Sequence, residues 1–216
     1  MTSHFRAAGL ACLLFLAVPA GAGQEDDFAA AESVFEKALA GDGGATDEAV
    51  ARFGRLAAAD SPYAPLFQAY LGAAQTLQGR DAWMPWNKMR ATERGLGTLD
   101  KALRRLEPRH DALSLRRQAP VSLETRLVAA STFIAVPDMF HRFDAGKAVL
   151  RTALASPAIA AAPPALRAAL HRQAALAAAH DKRPREEAAQ WRLAIAADPD
   201  GAIAAAARRR LQEIGS

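Results

Sequence analysis

Apolar residues recurring at three- and four-residue steps, in runs of helix length that proline and glycine interrupt again and again, most limit what this chain folds into. The clearest case spans Ser61 to His110. There Leu66, Ala69, Tyr70, Ala73, Ala74 and Leu77 mark one helical face, and Gly79 is expected to stop that helix. Leu96, Leu99, Leu103 and Leu106 mark a second face before Pro108. The segment between them, Arg80 to Met89, reads as a loop longer than a tight turn. The whole is a helix hairpin.

The same pattern recurs on both sides. Phe28, Ala31, Phe35, Ala38 and Leu39 share a face, Gly41 to Gly44 reads as a flexible connector, and Thr46 is the expected N-cap of a helix carrying Val50, Phe53, Leu56 and Ala57. A third hairpin is expected from Leu123, Leu127, Ala130 and Ile134, broken at Pro137, then Ala148, Val149, Ala153 and Leu154. A fourth begins at Pro163-Pro164 with Leu166, Leu170, Ala174 and Ala177, turns at Asp181-Lys182-Arg183, and resumes with Ala188, Trp191, Leu193 and Ile195. A last helix, Ala202 to Ile214, is expected to cap the array with Arg208, Arg209 and Arg210 towards solvent. Abundant Ala, Leu and Arg with few β-branched residues suits helices rather than strands. A GC-rich genome produces similar usage, so the periodicity, not the alanine content, carries the argument.

The ends bound the compartment. Arg6, the apolar run Ala7 to Val18 and the small-residue site Ala20-Gly21-Ala22 have the form of a secretory signal, so residues 1–22 are expected to be removed and 23–216 to form the repeat domain. The apolar run is shorter than the roughly 20 residues a membrane-spanning helix needs. Cleavage near Ala22 would remove Cys12, the only cysteine, and with it any disulfide or thiolate chemistry. The expected product is soluble and periplasmic, with no transmembrane segment. Its net charge of +4 is spread along the chain, and with an export signal it gives no reason to expect a nucleic-acid partner.

Glu187-x3-Trp191-x2-Ala194-Ile195-x2-Asp198-Pro199 resembles the second helix of a tetratricopeptide repeat, and Leu71-Gly72 with Gly79 resembles the first helix and turn. Gly95, Leu99, Ala102-Leu103 and Pro108 match the second helix with one extra residue before the proline, and Ala49, Phe53 and Pro62 repeat that offset. The resemblance implies an all-α, right-handed stack of helix hairpins, a tetratricopeptide-like α-solenoid whose spacing departs from the regular repeat of about 34 residues. It also implies a protein–protein interaction or scaffold role in the bacterial cell envelope, with a protein or peptide partner on the groove lined by the first helices.

Chemistry-bearing motifs are few. Trp83 and Trp86 with Arg80 and Lys88, and Arg172 in the fourth hairpin, are the candidate binding residues, because rigid aromatic area beside cationic donors suits a binding hot spot. The competing and favoured expectation is that both tryptophans fold back to fill the gap beneath a long loop. His141 and Asp144 beside His171 are the residues a periplasmic enzyme, small-ligand carrier or metal-binding protein would use. His171 and His180 lie about two and a half helical turns apart, too far to share one ion. No nucleophile, metal or phosphate-loop signature appears, so no catalytic residue, metal or cofactor is expected. Asp111, after Pro108, is expected to serve a cap or turn.

Overall fold

A computed structural model describes residues 20–215, with side chains from Gly23 on. The expected signal, residues 1–22, lies outside them apart from the backbone of 20–22, which opens the first helix. The described residues form nine α-helices and no strand. These are α1 Ala20–Leu39, α2 Gly43–Ala58, α3 Ala64–Asp81, α4 Pro85–Arg104, α5 Val121–Ala135, α6 Phe143–Leu154, α7 Pro164–His180, α8 Pro184–Ala197 and α9 Ala202–Glu213. Prolines sit in the first turn of α3, α4, α7 and α8, where their missing N–H is no loss.

Each helix packs on its successor, and each odd-numbered helix also touches the next odd one: α1 on α3, α3 on α5, α5 on α7, α7 on α9. The odd helices therefore form a row, and each even helix lies between two members of it. Expected hairpins and terminal helix are all present. The first core is aromatic: Phe28, Phe35, Phe53 and Tyr70 come together with ring centroids 5.0–6.1 Å apart, mostly edge to face, and Phe67 joins them against Phe28. Each such ring, fully buried, contributes on the order of 2–3 kcal/mol. Smaller aliphatic cores follow between α5, α6 and α7, and Trp191 with Ala175, Ala194 and Ala207 closes the C-terminal end.

α3 and α4 make the tightest contact because glycine lines their seam. A methyl group added at Gly95 would stand 2.6 Å from the Gly72 carbonyl oxygen, and one at Gly72 would stand 2.8 Å from the Gly95 carbonyl oxygen. At Gly79 it would run into the Thr92 hydroxyl and the Lys88 carbonyl. Gly79 therefore does not stop the helix as expected. It is buried inside α3, and helix α3 continues to Asp81.

The first turn also differs from expectation. Gly41, at φ 103°, takes the left-handed conformation that ends α1, but Gly43 and Gly44 already belong to α2. Asp42, not Thr46, caps α2 by accepting from Gly44 and Ala45 N–H. Thr46 instead donates to Asp81 Oδ2 at 2.7 Å. Arg208 and Arg209 face solvent as expected, whereas Arg210 binds the buried carboxylate of Glu187 at 2.7 Å.

Helix α4 ends at Arg104, short of the expected Leu106, and residues 105–120 carry the main feature that the sequence did not announce. After a 3-10 turn at Pro108–Asp111, in which His110 is buried and accepts from the Glu107 N–H at 2.8 Å, the chain crosses back towards α1. Asp111 lies in that turn, but its carboxylate faces Arg126 at 4.0 Å. Leu113 and Leu115 pack on the aromatic core. Arg116 Nη1 and Arg117 Nη2 both reach Glu32 Oε2 on α1, at 2.8 and 3.0 Å. A Ser114–Pro120 bridge and the Val121 N–H donating to the Leu113 carbonyl close the loop. Arg117 and Gln118 both adopt left-handed φ, at 54° and 57°, a strain of about 1 kcal/mol or more each for residues with a Cβ.

Candidate functional site

The corner between α3 and α4 is the place where exposed aromatic surface concentrates. Helix α3 ends when the Ala82 N–H donates to the Gln78 carbonyl, and α4 begins at Pro85, so only Ala82, Trp83 and Met84 link the two. Met84 O accepts from Asn87 and Lys88 N–H and anchors the first turn of α4. The expected long loop is thus a tight corner followed by helix. Trp83 is 88% exposed, Trp86 60% and Met84 40%.

This overturns the expectation that the tryptophans fold back. The gap they were to fill does not exist, because the Gly79 backbone meets Thr92 and Lys88 directly. A link of three residues also cannot bring an indole back between helices in contact. Both rings are turned outward at the end of a hairpin whose seam is already full.

The two cations expected beside them work on the backbone. Arg80 Nη2 donates to the Ala38 carbonyl at 2.8 Å, at the C-terminus of α1, and grips the Asp81 carboxylate through Nε and Nη2. Those hydrogen bonds, with that of Thr46, hold the Asp81 carboxyl below its usual range, burial opposing them. The cluster ties the ends of α1 and α3 to the start of α2. Lys88 Nζ donates to the Arg80 carbonyl at 3.1 Å, near the end of α3 where the helix dipole is negative. Arg172 is exposed on α7, and α5 stands between α7 and α3 in the row. The five residues therefore do not converge; four share the corner and Arg172 lies elsewhere.

Beside the corner is an open cleft of about 590 Å³, lined among others by Gly43, Asp47, Gln78, Asn87, Arg90 and Arg94. Gln78 bridges it, donating to Asp47 Oδ1 at 2.7 Å and accepting from Arg94 at 3.3 Å. These residues come from three successive helices, α2, α3 and α4, and no local spacing pointed to them. Arg90 and Arg94 add two exposed cations on the side of α4 that begins with Trp86.

The histidine alternative finds its residues committed separately. His141 is an exposed left-handed residue closing a 3-10 turn, and Asp144 pairs with Lys147 at 3.0 Å. His171 Nδ1 lies 2.9 Å from Gln190 Oε1, and the His180 ring rests on Phe143 with centroids 4.0 Å apart. Among the described residues no group of three His, Cys, Asp or Glu is placed to hold a metal ion. Nor is any helix among them long and apolar enough to cross a membrane. Compared with protein-family models, with curated proteins and with solved structures, the chain matches none.

Proposed function

We propose that this chain is an exported interaction module of the bacterial cell envelope, a right-handed tetratricopeptide-like stack that binds a protein partner and carries out no chemistry itself. The packing of each odd helix on the next odd one supports the stack. The observation that carries the binding role is the pair Trp83 and Trp86, 88% and 60% exposed on a rigid corner. Indoles in water without a packing reason mark a contact surface. In such a stack the odd helices would offer the inner groove, but residues 112–119 cross to α1 and take up that end of the row, whereas the corner stands free of them. With Arg90 and Arg94 lining the adjoining cleft, the partner segment that fits sets an acidic side chain beside an apolar one.

Trp83→Ala combined with Trp86→Ala tests this reading. Both rings being exposed, the unfolding free energy should change by less than about 0.5 kcal/mol. Trp191→Ala in the buried C-terminal core should instead cost about 3–5 kcal/mol. In cells, a photo-crosslinker at Asn87 should join the wild-type chain to a defined envelope protein, and the double variant should lose that adduct while folding normally. Recovery of the same adduct from the double variant would overturn the corner as the docking site. The export part is read from the mass of the periplasmic protein, whose chain should begin at Gly23; a cytoplasmic protein of full length would exclude it.

A further inference from the structure

Gln78 lines the cleft beside the Trp corner with its side chain held from both sides. Its amide nitrogen donates to Asp47 Oδ1 on α2 at 2.7 Å, and its amide oxygen accepts from Arg94 Nη2 on α4 at 3.3 Å. A carboxylate only accepts and a guanidinium only donates, so the two partners fix which end of the amide faces which helix. Among the described residues the amide has no other partner, which leaves one N–H and one lone pair free at the cleft. The Asn87 side chain and the Arg90 guanidinium, in the same cleft, form no hydrogen bond or ion pair among those residues either.

One free donor beside one free acceptor complements a single residue of extended chain. Such a residue presents its own N–H and C=O together on one edge, as paired antiparallel strands use them. A helix consumes those groups internally and would leave the amide of Gln78 to side chains alone. The spacing on α4 agrees with an extended segment. Trp86 and Arg90 are four residues apart on that helix, about 6 Å along its axis. An extended chain brings side chains back to the same side at every second residue, about 6.8 Å on. An apolar side chain set on Trp86 therefore places the side chain two residues away at Arg90, where an acid meets a cation that no described group occupies.

Resting on the reading of the corner as a protein-docking surface, we propose that the partner enters the cleft as an extended segment in which one residue separates an apolar residue from an acidic one, and that Gln78 grips the main chain of the residue between them. The apolar side chain covers the Trp86 indole and the acid pairs with Arg90. The middle residue's N–H donates to the Gln78 amide oxygen, and its C=O accepts from the free Gln78 N–H. Asp47 and Arg94 are positioning residues. They hold the amide aligned before the partner arrives, so little of its rotamer freedom is left to lose on binding.

The test titrates the full chain with acetyl-Leu-Ala-Asp-amide and acetyl-Asp-Ala-Leu-amide, which cover both chain directions, and with the same peptides N-methylated at Ala. Binding is read from the NMR shifts of the Gln78 side-chain amide and the Trp86 indole N–H. At least one parent peptide should move both signals, and N-methylation, which removes the N–H meant for Gln78, should weaken it about fivefold. In Gln78→Leu, read at the Trp86 indole, the parent should bind more weakly and N-methylation should cost nothing further, because the group it was paired with is gone. The wild-type comparison needs no variant to fold. Shifts from neither parent, no N-methyl penalty in the wild type, or an equal penalty in Gln78→Leu would each overturn the proposal. So would corner shifts that arise only from self-association or from anionic phospholipid vesicles. The Asn87 adduct in cells tests the docking reading separately: an adduct that the double Trp variant loses, beside an N-methyl penalty independent of Gln78, keeps the docking site and removes only the main-chain grip.

Discussion

Two glycines two positions apart on α4 are expected to answer the same substitution with opposite signs. At Gly95 an added methyl meets the Gly72 carbonyl oxygen, which as backbone cannot rotate aside, so Gly95→Ala should destabilise the protein by about 1–3 kcal/mol. At Gly97 nothing lies within 4 Å, so Gly97→Ala should stabilise it by about 0.5–1 kcal/mol through helix propensity alone. Denaturant unfolding of the two variants checks both signs in one experiment. A glycine in a sequence announces either a stop or a close approach, and Gly79 looks alike in the two cases. Only the partner helix decides, which is why the end of α3 was misplaced while the face of Leu66, Ala69, Tyr70 and Ala73 was legible.

At the scale of elements, the junction between α8 and α9 depends on one buried carboxylate. Glu187 accepts from Arg210 at 2.7 Å and from the Trp191 ring N–H at 3.2 Å, and the Arg210 hydrogen bonds hold its carboxyl below the usual range. A depressed value in the folded state contributes stability above the ordinary carboxylate range and loses it as pH falls through the folded value. Hydrogen-exchange protection factors of α9, which remove the intrinsic pH dependence, should therefore fall on acidification from about pH 6 to about pH 3 in the wild type. Glu187→Gln should lack that acid response, being weaker near neutral pH and converging on the wild type in acid. The helices were readable because their apolar periods and first-turn prolines are local signals. The segment crossing to α1 was not, since Leu113, Leu115, Arg116 and Arg117 are held by α1 and by the core, more than 80 positions away in the case of Glu32. The exposed Trp corner was half legible: its residues stood out, but their outward orientation followed from a glycine seam rather than from their own spacing.

For the described residues, a row of odd helices whose main contacts are with near neighbours predicts stability distributed along the row. Removing α9 by ending the chain at Pro199 should uncover Ala175, Trp191 and Ala194, so exchange protection should drop in α7 and α8 and stay unchanged in α1 to α4. Equal loss along the entire chain would show one cooperative unit instead. In the α3–α4 hairpin backbone rests on backbone at Gly72 and Gly95, and the Leu99 and Thr76 side chains pack against the same glycines, as Thr92 does against Gly79. Tyr70 stands roughly 16 Å along α3 from Asp81, at about 1.5 Å per residue, so one beam carries the tryptophans at one end and the phenol that meets Glu124 near the other. A partner seated on the corner would hold the same helix whose other end carries the core beneath Leu113 and Leu115.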